Sequence, residues 1–191
     1  MRITKEPEIR KKEIIDAARH LFQRKGIAKT SINDIAKSIG VAKGLVYYYF
    51  SSKDELVETV LDEFVEDVDR GLKEIMANPS LNFYQKLGAI LDLYFGTIRE
   101  YPNIYHYNPR YPGLFALIRK KLSDTALIHA RNLLQWGQDE GLINIQYPEY
   151  ILKILIRGLG DLYMEGESDP KVYRVLIEQI LGLEKGSLAG R

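Results

Sequence analysis

Apolar residues recur three and four positions apart along most of this chain, and no segment reads as a strand, so the pattern predicts an all-α fold. Ile14, Ala18, Leu21 and Phe22 predict a first helix that stops at Lys25-Gly26, where a glycine suits a C-terminal cap. Thr30 or Ser31 can cap a second helix, carried by Ile32, Ile35, Ala36 and Ile39 and closed by Gly40. Only "GVA" separates it from a third helix that stacks Val46 and Phe50 on one side. Two short helices joined by a tight glycine-containing turn are the helix-turn-helix pattern.

The remainder is longer and also helical. Ser52-Lys53-Asp54-Glu55 has the capping-box pattern and opens an amphipathic helix through Val57, Val60, Leu61, Phe64, Val65, Val68, Leu72 and Ile75, ended by Asn78-Pro79. Further helices are expected from about Leu81 to Glu100 and from about Gly113 to Glu140, on either side of "YPNIYHYNPRYPG", whose prolines allow at most a short helix. Residues 149–165 carry a broad apolar stripe in which Gly158 and Gly160 allow another helix to come close. Asp169-Pro170 opens the last helix, with Val172, Val175, Leu176, Ile180 and Leu183 on its apolar face, and the tail "EKGSLAGR" is expected to fray.

Composition narrows the class. With 191 residues and 46% hydrophobic positions the chain can bury a sizeable core. It has no cysteine, which excludes disulfides, thiol nucleophiles and thiolate zinc sites and fits a reducing cytoplasm. No apolar run is long enough to span a bilayer or to act as a signal peptide, so a cytoplasmic protein without membrane contact is expected. The net charge of +1 hides an asymmetry: residues 1–53 hold 12 Lys and Arg against 5 Asp and Glu, whereas residues 54–191 hold 15 against 21. A basic head on an acidic body suggests that the head alone meets a polyanion.

The third helix supplies the chemistry for that meeting. Lys43, Gly44, Tyr47 and Tyr48 of "GVAKGLVYYYFSSKDEL" share one face, opposite the core face of Val46 and Phe50. An ammonium, a glycine that admits close backbone approach and two phenols are suited to a partner outside the fold.

Within residues 10–56, "AARHLFQRKGIAKTSINDIAKSIGVAKGLVYYYFSSKDEL" resembles the N-terminal DNA-binding signature of the TetR family of transcriptional repressors. The resemblance implies a helix-turn-helix DNA-binding domain over residues 1–51 and a helical ligand-binding and dimerisation domain over residues 52–191. It implies a homodimer on a pseudo-palindromic operator of double-stranded DNA, released by a small apolar or aromatic effector. Thr30 and Ser31 match the phosphate-facing start of the second helix. Lys43, Gly44, Leu45, Tyr47 and Tyr48 match groove-facing positions, and Tyr49 and Lys53 match backbone-contacting ones. Two residues depart from the family pattern: Ala42 stands where a capping Ser or Thr is common, and Leu45 where a small or polar residue is common. A leucine there can read only an apolar surface such as a thymine methyl.

For the body, the resemblance pairs the last two helices with those of a second subunit. Ile151, Leu155, Leu159, Leu162, Val172, Leu176 and Ile180 are the candidate dimer residues, although the same stripe also suits the subunit's own core. Tyr94, Phe95, Tyr105, Tyr107, Phe115 and Trp136 are candidates to line an effector cavity, and equally suit ordinary packing. Asp92 and Asp161 stand near apolar runs, where a paired or exposed carboxylate is the simpler expectation over one facing a cationic ligand.

An enzyme is not expected. His20, His106 and His129 are far apart, and no H-E-x-x-H, G-x-S-x-G or phosphate loop is present. No metal and no cofactor are expected. The alternative that remains is a constitutive DNA-binding protein whose body only dimerises.

Overall fold

Pro7 at the first helical position starts α1 (Pro7–Lys25), and Gly26, at φ 78°, ends it by returning its N–H to the Phe22 carbonyl. The computed structural model describes residues 6–101 and 112–188, and among these it shows eight α-helices and no strand. After α1 come α2 (Ile32–Ser38), α3 (Lys43–Tyr49), α4 (Lys53–Ala77) and α5 (Phe83–Glu100). α6 (Pro112–Asp139), α7 (Pro148–Met164) and α8 (Pro170–Leu181) complete the order.

The chain packs as two compact units, one of Met1–Glu66 with Ile98–Ala116, the other of Asp67–Thr97 with Leu117–Arg191. The first unit is built on apolar side chains at the expected spacings. Ile14, Ala18, Phe22, Ile35, Val46 and Leu56 are wholly buried, and Phe50, Val60 and Phe64 nearly so. Each large side chain of this kind contributes about 1.5–3 kcal/mol when removed from water. Arg19 Nη2 donates to the Tyr101 hydroxyl at 2.6 Å, and the Tyr101 ring meets Phe64 edge-on, 4.8 Å between centroids.

In the second unit Phe83, Leu133 and Tyr173 are the deepest residues, joined by Phe95, Leu134, Leu155, Ile177 and Leu181. A Cβ at Gly137 would collide with the Phe83 ring, so α6 passes that ring closely only because position 137 has no side chain. His129, buried on α6, places Nε2 2.7 Å from Asp69 Oδ1 on α4. Asp92 pairs with Arg174 at 2.6 Å, and Asp161 pairs with Arg119.

Several helix ends differ in detail from expectation. Ser52 caps α4 by accepting the Glu55 N–H at 3.1 Å, but the Glu55 carboxylate reaches back to the Ser51 N–H and hydroxyl, at 2.7 and 2.6 Å. α5 starts at Phe83 because Asn82 and Gln85 exchange side-chain to backbone hydrogen bonds, 2.9 and 3.0 Å.

The tail expected to fray is held as far as Leu188, and its last three residues lie outside the described ones. Glu178, buried on α8, accepts the N–H groups of Gly186 at 3.0 Å and Leu188 at 2.8 Å, and Arg174 donates to the Leu188 carbonyl. Leu188 is left 2% exposed. A buried carboxylate satisfied by two backbone donors fixes the segment through Leu188 in place.

Candidate nucleic-acid interface

Two short connections set the position of α3. Thr30 donates its hydroxyl to the Gly26 carbonyl at 2.9 Å and is 1% exposed. Ser31 is the N-cap of α2: its hydroxyl accepts the Asp34 N–H at 3.1 Å, while its own N–H donates to Asp34 Oδ2 at 2.9 Å. The sequence allows either hydroxyl to cap, and the structure assigns Ser31, because Thr30 is turned inward. That orientation places the Thr30 side chain inside the α1–α2 turn. Gly40, at φ 68°, then makes the turn between α2 and α3, and the Val41 N–H reaches the Ala36 carbonyl at 2.9 Å.

α3 has two sharply different sides. Val46 and Phe50 point into the core, whereas Lys43, Gly44, Tyr47 and Tyr48 are exposed, Tyr47 by 44% and Tyr48 by 80%. Leu45 and Tyr49 are half-buried. Nothing lies within 4 Å of where a Cβ at Gly44 would sit. Ala42 makes no side-chain cap, as its methyl group dictates. The Lys43 ammonium lies over the Tyr47 ring, 5.3 Å from its centroid, and Tyr48 meets Tyr49 edge-on at 5.1 Å.

Lys53 is placed by a different contact. Its Nζ donates to the Ile27 carbonyl at 2.6 Å, and burial lowers its pKa from the ordinary lysine value. The Asp34 carboxyl is held below the usual carboxylate range by the Ser31 N–H and then by its hydroxyl, and the Glu55 carboxyl by the Ser51 hydroxyl and then its N–H.

Three of the candidate cavity residues, Tyr94, Phe95 and Trp136, fall into two ring clusters of the second unit. Tyr94 contacts Phe95, Tyr163 and Tyr173, and Phe95 meets Tyr173 edge-on at 4.8 Å. Trp136 meets Phe83 at 6.1 Å and lies under the buried Lys86 ammonium. Phe95 is a buried core residue; Tyr94 and Trp136 are half-buried against that core. Burial raises the Tyr94 phenol well above its ordinary value and pushes Tyr173 up to about 12. Tyr105, Tyr107 and the side chain of Phe115 lie outside the described residues.

Of the candidate dimer residues, Leu155 is buried within its own subunit, and Ile151, Leu159 and Leu162 pack partly against the same core. Val172 and Ile180 are exposed and Leu176 half-buried. The outer faces of α7 and α8 also expose Tyr150, Ile154 and Val175, Ile154 by 64%, and Cβ atoms at Gly158 and Gly160 would meet nothing within 4 Å. Ile154 and Val175 belong to the apolar stripes legible in the sequence; which members of a stripe stay uncovered depends on tertiary packing.

Among the described residues no group of His, Cys, Asp and Glu is placed to hold a metal ion, and no helix is long and apolar enough to cross a membrane.

The comparison with known proteins covers both parts of the chain. Residues 14–60 match the family described as bacterial regulatory proteins, tetR family. TtgR of Pseudomonas putida, an HTH-type transcriptional regulator, is 38% identical over 68 residues, 36% of this chain and 32% of that protein. Alignments to the first such relatives span less than half of those proteins' lengths. YttP of Bacillus subtilis, named as a probable HTH-type transcriptional regulator, is 30% identical over 158 residues, 75% of this chain and 72% of YttP. The crystal structure of RolR with its ligand resorcinol shares the fold at a TM-score of 0.69 and 15% identity, over 95% of this chain and 91% of RolR. TtgR and YttP are regulators by name, and with the YttP alignment running well past the helix-turn-helix, the chain belongs to the tetR family of bacterial regulatory proteins.

Proposed function

We propose that this protein is a transcriptional regulator, a repressor in the simplest case, that binds a pseudo-palindromic operator as a homodimer in the cytoplasm. The observation that carries the reading is the division of α3: Val46 and Phe50 anchor it in the core, and Lys43, Gly44, Tyr47 and Tyr48 are left uncovered. Lys43, Gly44, Leu45, Tyr47 and Tyr48 then face the major groove, while Ser31, Tyr49 and Lys53 hold the phosphate backbone. Thr30 serves by fixing the α1–α2 turn. The uncovered apolar residues Tyr150, Ile154, Val172, Val175 and Ile180, beside the open backbone at Gly158 and Gly160, support a helical dimer interface on α7 and α8.

Operator binding by such a dimer requires two copies of α3 about 34–36 Å apart. An effector that binds better to another spacing shifts the population away from DNA. The half-buried phenol of Tyr94 and the indole of Trp136 support a small apolar or aromatic effector with one or two polar groups. A second reading, a body that only dimerises, is favoured by the edge-on packing of Phe95 against Tyr173 and of Phe83 against Trp136, which suits a filled core.

The test is selection of bound duplexes from a random library, followed by rebinding of the winners at two salt concentrations. A two-fold symmetric consensus supports the proposal, and absence of enrichment by folded protein sinks it. A panel of small phenols, resorcinol among them because RolR was solved with it, then separates the two readings by release of the selected duplex.

A further inference from the structure

The outward side of α3 is rich in hydrogen-bond donors and apolar surface and has no amide or carboxylate. Its sequence, KGLVYYY, offers one ammonium, phenols and a leucine, with no Asn, Gln, Asp or Glu. A phenol can donate or accept, but an ammonium only donates. In the major groove guanine presents two acceptors, N7 and O6, whereas cytosine presents an amino donor and adenine pairs one acceptor with one donor. The one charged group on α3 therefore matches guanine and mismatches cytosine.

Lys43 is also placed for that task. It is the first residue of α3, and the N-terminal residues of a helix-turn-helix recognition helix are those that reach base edges. Its Nζ lies 5.3 Å from the centroid of Tyr47, one turn further along the same exposed face. The ring attracts the cation and limits the swing of a four-carbon stem that is otherwise free in solvent. Gly44 beside it puts no side chain in the way of a close approach.

Building on the reading of α3 as the DNA-contacting helix, we propose that Lys43 is a specificity-determining residue of this regulator. It selects a guanine at one position of each operator half-site, with Tyr47 as the residue that positions its ammonium. This assignment differs from a phosphate contact in what it predicts. A lysine on a phosphate strengthens binding to every duplex alike, whereas a lysine on guanine N7 and O6 sets a preference at one base pair.

The experiment is duplex selection by the full chain and by Lys43→Gln and Lys43→Met, followed by binding measurements on the wild-type consensus with 7-deazaguanine at each guanine in turn. The wild-type consensus is expected to contain one guanine per half-site whose replacement by 7-deazaguanine weakens wild-type binding about tenfold. Lys43→Met should lose preference at that position and become indifferent to 7-deazaguanine there. Lys43→Gln, which adds an acceptor, should shift the preference toward adenine. Lys43 is exposed, and circular dichroism of both variants should match the parent. A symmetric consensus in which no guanine responds to position 43, or a Lys43→Met protein weakened equally on all duplexes, overturns this assignment and leaves the operator reading intact. Failure to obtain any symmetric consensus overturns the operator reading itself. The 7-deazaguanine arm on the parent protein needs no variant, so the proposal is tested even if both variants misfold.

Discussion

The ammonium of Lys53 donates to the backbone carbonyl of Ile27 at 2.6 Å, tying the first turn of α4 to the connection between α1 and α2. Lys53→Ala should therefore do two things. It should lower the melting temperature by a few degrees, through loss of a charged hydrogen bond worth about 1.5–3 kcal/mol. It should also weaken binding to all duplexes and reduce the magnitude of the salt slope by about 1. Melting curves and binding isotherms at several salt concentrations separate these effects: a shift in melting with an unchanged slope would make Lys53 a tether alone.

The carboxyls of Asp34 and Glu55 both have pKa values lowered by hydrogen bonds from serines. A carboxyl depressed on folding stabilises above its unfolded value and loses that contribution as pH falls through its folded one. The first unit should thus lose stability as pH drops below about 4. The Asp34→Asn and Glu55→Gln double variant should show a shallower dependence, read from melting temperatures between pH 3 and pH 6.

Gly137→Ala places a methyl group against the Phe83 ring, and overpacking of this kind costs about 1–3 kcal/mol. Combining it with Phe83→Leu should cost less than the sum of the two single changes, because the smaller side chain vacates the contested space. Strict additivity in chemical denaturation would show that α6 relaxes away from the ring instead.

The amides of Gly186 and Leu188, held by Glu178, should exchange with solvent far more slowly than those of an unstructured tail. Leu188→Ala should cost about 2 kcal/mol without changing operator affinity. Hydrogen exchange together with thermal melting checks both, and fast exchange at Leu188 would refute the docked segment.

Ile154→Glu, on the uncovered face of α7, should leave the subunit folded and shift sedimentation toward monomer. If α7 and α8 form the dimer interface, operator affinity falls with it. An unchanged dimer would place the interface elsewhere.

Most helices and the two-sided character of α3 were legible in the sequence, because local periodicity, caps and glycines specify them. Val46 and Phe50 against Tyr47 and Tyr48 is a matter of spacing alone. The features that escaped depend on residues brought together by packing. Glu178 looks like one more polar residue on α8 until Gly186 and Leu188 fold back onto it. Gly137 looks like an ordinary helical glycine until the Phe83 ring arrives. Thr30 and Ser31 both offer a capping hydroxyl, and the burial of Thr30 together with the Ser31–Asp34 exchange separates them. The same limit applies to Tyr94, Phe95 and Trp136, since a packed core and a cavity wall draw on the same residues.

Because Val46 and Phe50 fasten α3 while positions 43, 44, 47 and 48 hold up nothing beneath them, this helix works like a replaceable printing plate on a fixed press. New combinations at those four positions can rewrite the message without retooling the machine. If those positions read DNA as proposed, a library randomised there should yield folded proteins with altered address lists.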